Sequence, residues 1–371
     1  MRVLMTTDTV GGVWTLTKEL AGGLLRNGCS VALVSLGRAP SASQQSWADE
    51  LCSQWGKCFR FEALDTALEW MQDNARALSD AAPTLLRIAE EFDADLLLTS
   101  QYCFGAFRCD IPRIVVAHSD VLSWAEACRP HGLERSQWLD SYTSLVQAGL
   151  DGADAVVAPT QWMLDALVRN FSVPPDRTVI PNGRTMPPFL SDSTRRMQAV
   201  TAGRLWDEAK NVKLLENVDS PIPLLIAGET RLQSESLSQT QDGSDIRLLG
   251  SLDEAGMLTL LRQSAIYICT SRYEPFGLAP LEAAQCGCAV LANDIPSLRE
   301  VWGDSALYFT GPESLSSWLW RLSDHPWLLR EAQEIAKQHA SQFTAERMTS
   351  RYLELFRSVV KQSTLVATHV A

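Results

Sequence analysis

The chain has 371 residues, 46% of them hydrophobic and 20% charged, with a mean hydropathy of -0.05 and a formal net charge of -12. That length suffices for two ordinary domains with a core in each, and the acidic balance argues against nucleic acid as a partner, because neutralising phosphates needs clustered Lys and Arg. No stretch nears the roughly 20 apolar residues of a membrane span, and the opening M-R-V-L-M runs straight into a strand with no room for a secretory leader. A cytoplasmic protein without an integral span is expected, with peripheral membrane contact left open.

Residues 2–6 read as a first strand, 7–12 as the loop after it, and 14–26 carry apolar residues at helical spacing, stopped by Gly28. A second strand follows at 30–35. This order opens a doubly wound α/β domain, which binds ligands at the carboxyl ends of its strands. The first loop holds Gly11 and Gly12 but no G-x-G-x-x-G, so a dinucleotide fingerprint is missing and a simple tight turn explains the pair equally well. Residues 38–56 are polar and read as a loop. Helical pattern returns at 83–92, and strands follow at 96–99 and 114–117, the latter ending at His118. Asp93-Ala94-Asp95 precedes a strand, which suits a helix-to-strand turn better than a metal site. Residues 123–150 mix Trp124, His131, Trp138 and Tyr142 with charges, as an amphipathic helix or a substrate-facing wall. A strand at 155–158 leads to a helix capped by Thr160, and 179–183 reads as a last strand running into a linker.

A second α/β series starts at Met197, with a strand at 198–201 followed by G-R-L-W-D-E-A-K-N. Arg204 and Lys210 flank that loop, where two cations would neutralise a diphosphate and the charge growing on it as it leaves. Strands are expected at 224–227 and 246–249, with an exposed polar loop over 232–245 and Gly250 after the second strand. The apolar run 265–269 reads as a buried strand, followed at 271–282 by S-R-Y-E-P-F-G-L-A-P-L-E. Pro275 and Gly277 mark a tight loop, and 281–284 begins a helix. Amides freed among Phe276, Gly277, Leu278 and Ala279 would point at an anion. Glu274 and Glu282 bracket the loop, and ionised carboxylates suit sugar and ribose hydroxyls because they only accept hydrogen bonds. Diphosphate on amides with hydroxyls on flanking acids describes a nucleotide-sugar site. A strand at 289–292, a short helix near 298–300, helices from Pro312 broken at 324–326, and an amphipathic helix over 344–361 complete the chain. Nine cysteines, an odd number with no C-x-x-C, read as reduced thiols, and five histidines share no metal-ligand spacing.

The 271–282 stretch, two glutamates separated by seven residues around Pro-Phe-Gly-Leu, resembles the signature of retaining glycosyltransferases of family 4, the glycosyl transferases group 1. Gly203-Arg204-Leu205 followed by Lys210 resembles that family's basic loop, although Asn211 stands where glycine commonly follows the lysine. Pro181-Asn182-Gly183 also fits. The resemblance covers most of residues 1–311. It implies a GT-B fold, two Rossmann-like doubly wound α/β domains facing each other across a cleft: residues 1–183 with a returning helix at 345–371 on the acceptor side, and 184–344 binding the donor. It further implies that Gly11 and Gly12 face the donor diphosphate, that His118 hydrogen-bonds the transferred sugar, and that the Gly250 region contacts the nucleobase. Closure by hinge motion near Asn182-Gly183 and Phe343 goes with that architecture.

The expected activity is transfer of a hexosyl group from a nucleotide-diphosphate sugar, UDP-sugar before GDP-mannose, to a hydroxyl acceptor that is a glycan, a lipid-linked sugar or a small molecule. Transfer would follow a front-face route with retained configuration. Arg204 and Lys210 would hold the leaving diphosphate, Glu274 would orient the sugar, and Glu282 would hold the ribose. No cofactor and no metal is expected, the two cations and the amides standing in for one. Two other readings stay open: a nucleotide-sugar 2-epimerase, for which only His118 and Glu274 offer acid–base groups, and a catalytically silent sugar-nucleotide binding subunit.

Overall fold

A computed structural model describes residues 1–72, 74–187, 195–229 and 246–370; the loop expected at 232–245 lies outside them. The chain divides into two compact units, Met1–Ser123 with His131–Gly183 and Ala345–Ala371, and Trp124–Pro130 with Arg184–Thr344.

The first unit runs β1 (Arg2–Asp8), α1 (Gly12–Arg26), β2 (Ser30–Leu36), α2 (Ala42–Trp55), β3 (Phe59–Leu64), α3 (Ala77–Phe92), β4 (Leu96–Thr99), β5 (Arg113–Val116), the start of α4 (Val121–Cys128, assigned from Trp124 on to the second unit), α5 (Gln137–Gly152), β6 (Ala155–Ala158), α6 (Gln161–Asn170) and β7 (Arg177–Val179). All its strand pairs are parallel, in the order β3-β2-β1-β4-β5-β6-β7. Parallel strands must be covered on both faces, which is why β4 and β6 are buried at every position and read as unbroken apolar runs. One face packs Leu4, Val34 and Leu97 against Leu85 and Ile88 of α3; the other packs Val115 and Val156 against Tyr142 and Val146 of α5 and Met163 of α6.

The second unit runs β8 (Arg196–Ala202), β9 (Leu224–Ala227), β10 (Ile246–Gly250), α7 (Glu254–Gln263), β11 (Ser264–Cys269), α8 (Leu278–Gln285), β12 (Ala289–Asn293), α9 (Pro296–Trp302), β13 (Leu307–Phe309), α10 (Pro312–Asp324) and α11 (Pro326–Ala340). Its parallel sheet has the order β10-β9-β8-β11-β12-β13. Leu281 and Trp302 fill one face with Val290, and Phe309, Leu315 and Leu319 fill the other with Ile266 and Leu291. The final helix, α12 (Ala345–Val370), packs along α1 of the first unit. Each unit is thus a Rossmann-like α/β domain.

Several expectations are corrected. Residues 38–56 are not a loop: they hold α2, started by a capping box in which Gln44 Oε1 accepts from the Ser41 amide at 2.8 Å and Ser41 Oγ accepts from Gln44 N at 3.3 Å. Only Ala48 on that helix is fully buried, so no apolar stripe marked it. Strand β3 escaped for the same reason, its edge position leaving Arg60 and Glu62 partly exposed and paired. The 123–150 stretch is two helices rather than one, and the last strand of this sheet, β7, spans Arg177–Val179, so it begins before the expected 179–183 and leaves most of that stretch to the linker. Asp93 is the left-handed C-cap of α3 at φ 52°, and Asp95 Oδ2 accepts from the Arg2 amide at 2.6 Å, so the Asp-Ala-Asp is the turn that was expected.

In α5, Gly149 allows helix and loop to touch: a Cβ there would stand 1.8 Å from the Tyr102 carbonyl oxygen, a backbone atom that cannot step aside. Gly149→Ala is expected to destabilise the protein by about 2 kcal/mol or more through overpacking, read as a lower urea midpoint at unchanged slope.

Candidate active site

In the second sheet the strand order reverses between β8 and β11. Chains leaving two parallel strands at such a point diverge to opposite faces, and the crevice at their carboxyl ends is where open α/β sheets bind ligands. The loop after β8 carries Arg204 and Lys210; the loop after β11 carries Glu274 and leads into α8. The sequence motifs, about 70 residues apart, thus meet through one strand pairing.

The two loops are laced together. Thr270 Oγ1 donates to the Lys210 carbonyl at 2.6 Å, the Arg272 amide to the Ala209 carbonyl at 2.8 Å, and Asn211 Nδ2 to the Thr270 carbonyl at 3.3 Å. Asn211 adopts the left-handed conformation, φ 49°, a role asparagine tolerates and glycine fills without cost, which accounts for Asn at a position where the resembled pattern has Gly. Lys210 Nζ lies 2.5 Å from Glu274 Oε2, and Ser271 Oγ donates to the same oxygen at 3.0 Å. Burial opposes the ammonium, but the charge and hydrogen bond of Glu274 outweigh it, so the Lys210 pKa lies above its ordinary value. The lysine is therefore a fixed cation. Within electrostatic reach of this pair, burial pushes the Cys269 thiol up to about 11, leaving no thiolate to act as a nucleophile.

Arg204 is held by Asp207, whose Oδ2 accepts from it at 2.6 Å while Oδ1 caps the Ala209 amide at 3.0 Å. The Arg204 guanidinium lies 5.5 Å from the centre of the Trp206 ring, and its buried Nε has no hydrogen-bond partner. Both cations expected from the sequence are thus present and already paired with carboxylates. Asp207 was missed, although its spacing of three from Arg204 was a visible signal.

Helix α8 starts after Gly277, at φ 91° and ψ 72°, with no side-chain cap. A Cβ on Gly277 would come 2.9 Å from Pro280 Cγ and 3.4 Å from Glu274 Cγ, so both the backbone angle and the space require glycine. Pro280 has no N–H, which leaves Leu278 and Ala279 as the first-turn amides without an intrahelical acceptor. The Phe276 side chain is buried and packs edge-on to Phe343, its ring centre 5.6 Å away, which anchors the loop. Glu282 is paired: its Oε1 lies 3.0 Å from Arg184 Nε. Nothing in the sequence linked these two residues. Gly250 ends β10 at φ 70°, its carbonyl accepting from the Gly228 amide at 2.8 Å.

In the first unit the sheet order reverses between β1 and β4. Gly11, at φ 65°, and Gly12 open α1 after β1, again with no side-chain cap. His118 follows β5, half-buried, its Nε2 3.2 Å from Ser100 Oγ in the turn after β4. Burial pushes the His118 pKa down to about 4, so the ring is neutral near pH 7. Among the described residues no group of three or more His, Cys, Asp or Glu could hold a metal ion, no helix is long and apolar enough to cross a membrane, and all nine cysteines are free, with Cys58 exposed.

The unfolded chain takes up a proton at His118 near pH 6.5, whereas the folded chain resists it down to about 4. The stability this histidine contributes is therefore complete above pH 6.5 and drains away between 6.5 and 4. Over that window the melting temperature of the wild type should fall more steeply than that of His118→Asn; parallel slopes would show that the ring is not held neutral.

Two family profiles match the chain: Glycosyltransferase Family 4 over residues 10–185 and Glycosyl transferases group 1 over 207–322. Alpha-maltose-1-phosphate synthase of Mycobacterium tuberculosis is 26% identical over 238 residues, covering 54% of this chain and 58% of that protein. The chain thus spans little more than half the length of this relative. Among solved structures, sucrose-phosphate synthase from Thermosynechococcus elongatus is similar at a TM-score of 0.77 and 17% identity, covering 98% of this chain and 100% of that one. Anabaena Alr3699/HepE in complex with UDP-glucose is similar at a TM-score of 0.73 and 16% identity, covering 96% and 100%. With its two Rossmann-like domains, its GT-B fold and both profile matches, the chain belongs to the family 4 glycosyltransferases, the glycosyl transferases group 1.

Proposed function

We propose that the protein moves a hexosyl group from a nucleoside-diphosphate sugar to a hydroxyl acceptor with retention of configuration. The observation that carries this reading is the Lys210–Glu274 pair at the switch point of the second sheet, beside Arg204 and the uncapped start of α8. Cations and amides converging at strand ends fit a diphosphate, and a carboxylate among them fits sugar hydroxyls. A UDP-sugar is the favoured donor and GDP-mannose the alternative. The UDP-glucose bound by the Anabaena protein supports the first, and a 29% identical O-antigen chain mannosyltransferase B of Escherichia coli supports the second.

In this reading the bond from the anomeric carbon to the diphosphate breaks while the acceptor oxygen bonds to the same face. The departing diphosphate oxygen takes the acceptor's proton. Arg204, Lys210 and the Leu278 and Ala279 amides hold the charge that develops, a contribution that grows toward the transition state and so accelerates the step. Glu274 orients the sugar and stabilises positive character at its ring. A neutral His118 with a pKa near 4 is a weak base at pH 7, which favours hydrogen bonding to the sugar over proton abstraction. Gly11 and Gly12 would let the backbone approach the donor diphosphate, and Gly250 the base. Glycans, lipid-linked sugars and small hydroxyl compounds are the acceptor classes to screen. No divalent metal takes part.

The test is nucleoside diphosphate release from a panel of UDP- and GDP-sugars, first without and then with acceptors. One donor should be consumed, with Glu274→Ala and Arg204→Ala each lowering the rate by roughly 10²–10³-fold, and anomeric configuration retained in any transfer product. Turnover should persist in EDTA; its abolition, restored by added Mg²⁺ or Mn²⁺, would defeat the metal-free reading. Interconversion of two nucleotide sugars without an acceptor would favour the epimerase, and binding without any turnover the silent subunit.

A further inference from the structure

Arg184 is the first residue of the second unit after Gly183, and its side chain is only 5% exposed. A guanidinium so deeply buried is costly unless carboxylates and hydrogen bonds surround it. Two carboxylates do: Glu254 in the first turn of α7, 52% exposed, pairs through Oε1 with one terminal nitrogen, and Glu282 of α8, 16% exposed, lies 3.0 Å from Nε. The backbone of Arg184 is clamped as well. Its amide donates to the Phe343 carbonyl at 3.0 Å, and its carbonyl accepts from Gln285 Nε2 at 2.8 Å. Gln285 follows Glu282 by three residues on the same helix, so α8 holds both the main chain and the side chain of Arg184.

We infer that Arg184 is a positioning residue for the nucleotide ribose: it fixes the Glu282 carboxylate in one rotamer, so that the carboxylate can accept from ribose hydroxyls. The inference rests on the nucleotide-sugar reading above and on the expectation, implied by the family resemblance, that Glu282 holds the ribose. A glutamate without an ion pair would order three torsions on binding, whereas the charge contact of Glu282 with a buried guanidinium lowers that ordering cost. The guanidinium of Arg184 is shared between the exposed Glu254 and the half-buried Glu282. Lysine would supply the charge without a planar group able to reach both acids. The arginine acts through Glu282 and need not touch substrate.

The test is a binding titration of whichever of UDP or GDP the protein takes, against its 2′,3′-dideoxy analogue, in the wild type, Glu282→Gln, Arg184→Gln and Arg184→Lys. The wild type should prefer the ribonucleotide by roughly tenfold, the scale of hydrogen bonds to a charged group. Glu282→Gln should erase most of that preference. Arg184→Gln and, more mildly, Arg184→Lys should lower ribonucleotide affinity while dideoxy affinity stays put. Should Arg184→Gln fail to fold, Arg184→Lys alone decides. If Arg184→Lys weakens both nucleotides equally or leaves the ratio intact while Glu282→Gln removes it, Arg184 is structural support and the inference falls. A ratio that survives Glu282→Gln instead removes Glu282 from the ribose, and the inference falls with that assignment, whereas turnover of a donor would still uphold the proposed reaction.

Discussion

The parallel pairing of β8 with β11 is the constraint on which the second unit's chemistry depends. Ile266 and Tyr267 sit in register with Ala199 and Val200, so the two strands end together and their loops emerge side by side. The sheet order reverses there, which opens a crevice without any side chain having to be removed to make room. Lys210 and Glu274 meet across it at 2.5 Å, where the Thr270 hydroxyl and the Arg272 amide, each bonded to a carbonyl of the other loop, hold the two loops in step.

The site holds its charges in pairs. Arg204 is held by Asp207, Lys210 by Glu274, and Arg184 by Glu282 and Glu254. In partly buried surroundings an unpaired cation is costly, so the acids keep the cations ordered where they stand.

Much of this was legible in the sequence, for identifiable reasons. Strands such as 96–99, 155–158 and 289–292 are buried on both faces and stand out as apolar runs. Arg204, Lys210, Glu274 and Gly277 sit in short contiguous motifs whose residue types carry their chemistry wherever the loop goes. The helix at 42–55 and the strand at 59–64 were invisible because each buries little, so hydrophobic periodicity is weak. Arg184 was invisible for a different reason: it lies 98 positions before Glu282, and a lone arginine after Pro-Asn-Gly has no local pattern to set it apart.

By itself, then, the sequence determined the class of fold, the two α/β series and the identity of the groups offered to a ligand, because these follow from composition and local spacing. Tertiary structure alone decided who holds whom. Strand order brings the basic loop to the acidic one, the clamp of Gln285 and Phe343 on Arg184 turns its guanidinium onto Glu282, and burial leaves His118 neutral. Those outcomes depend on through-space distances and desolvation, which no spacing along a chain encodes.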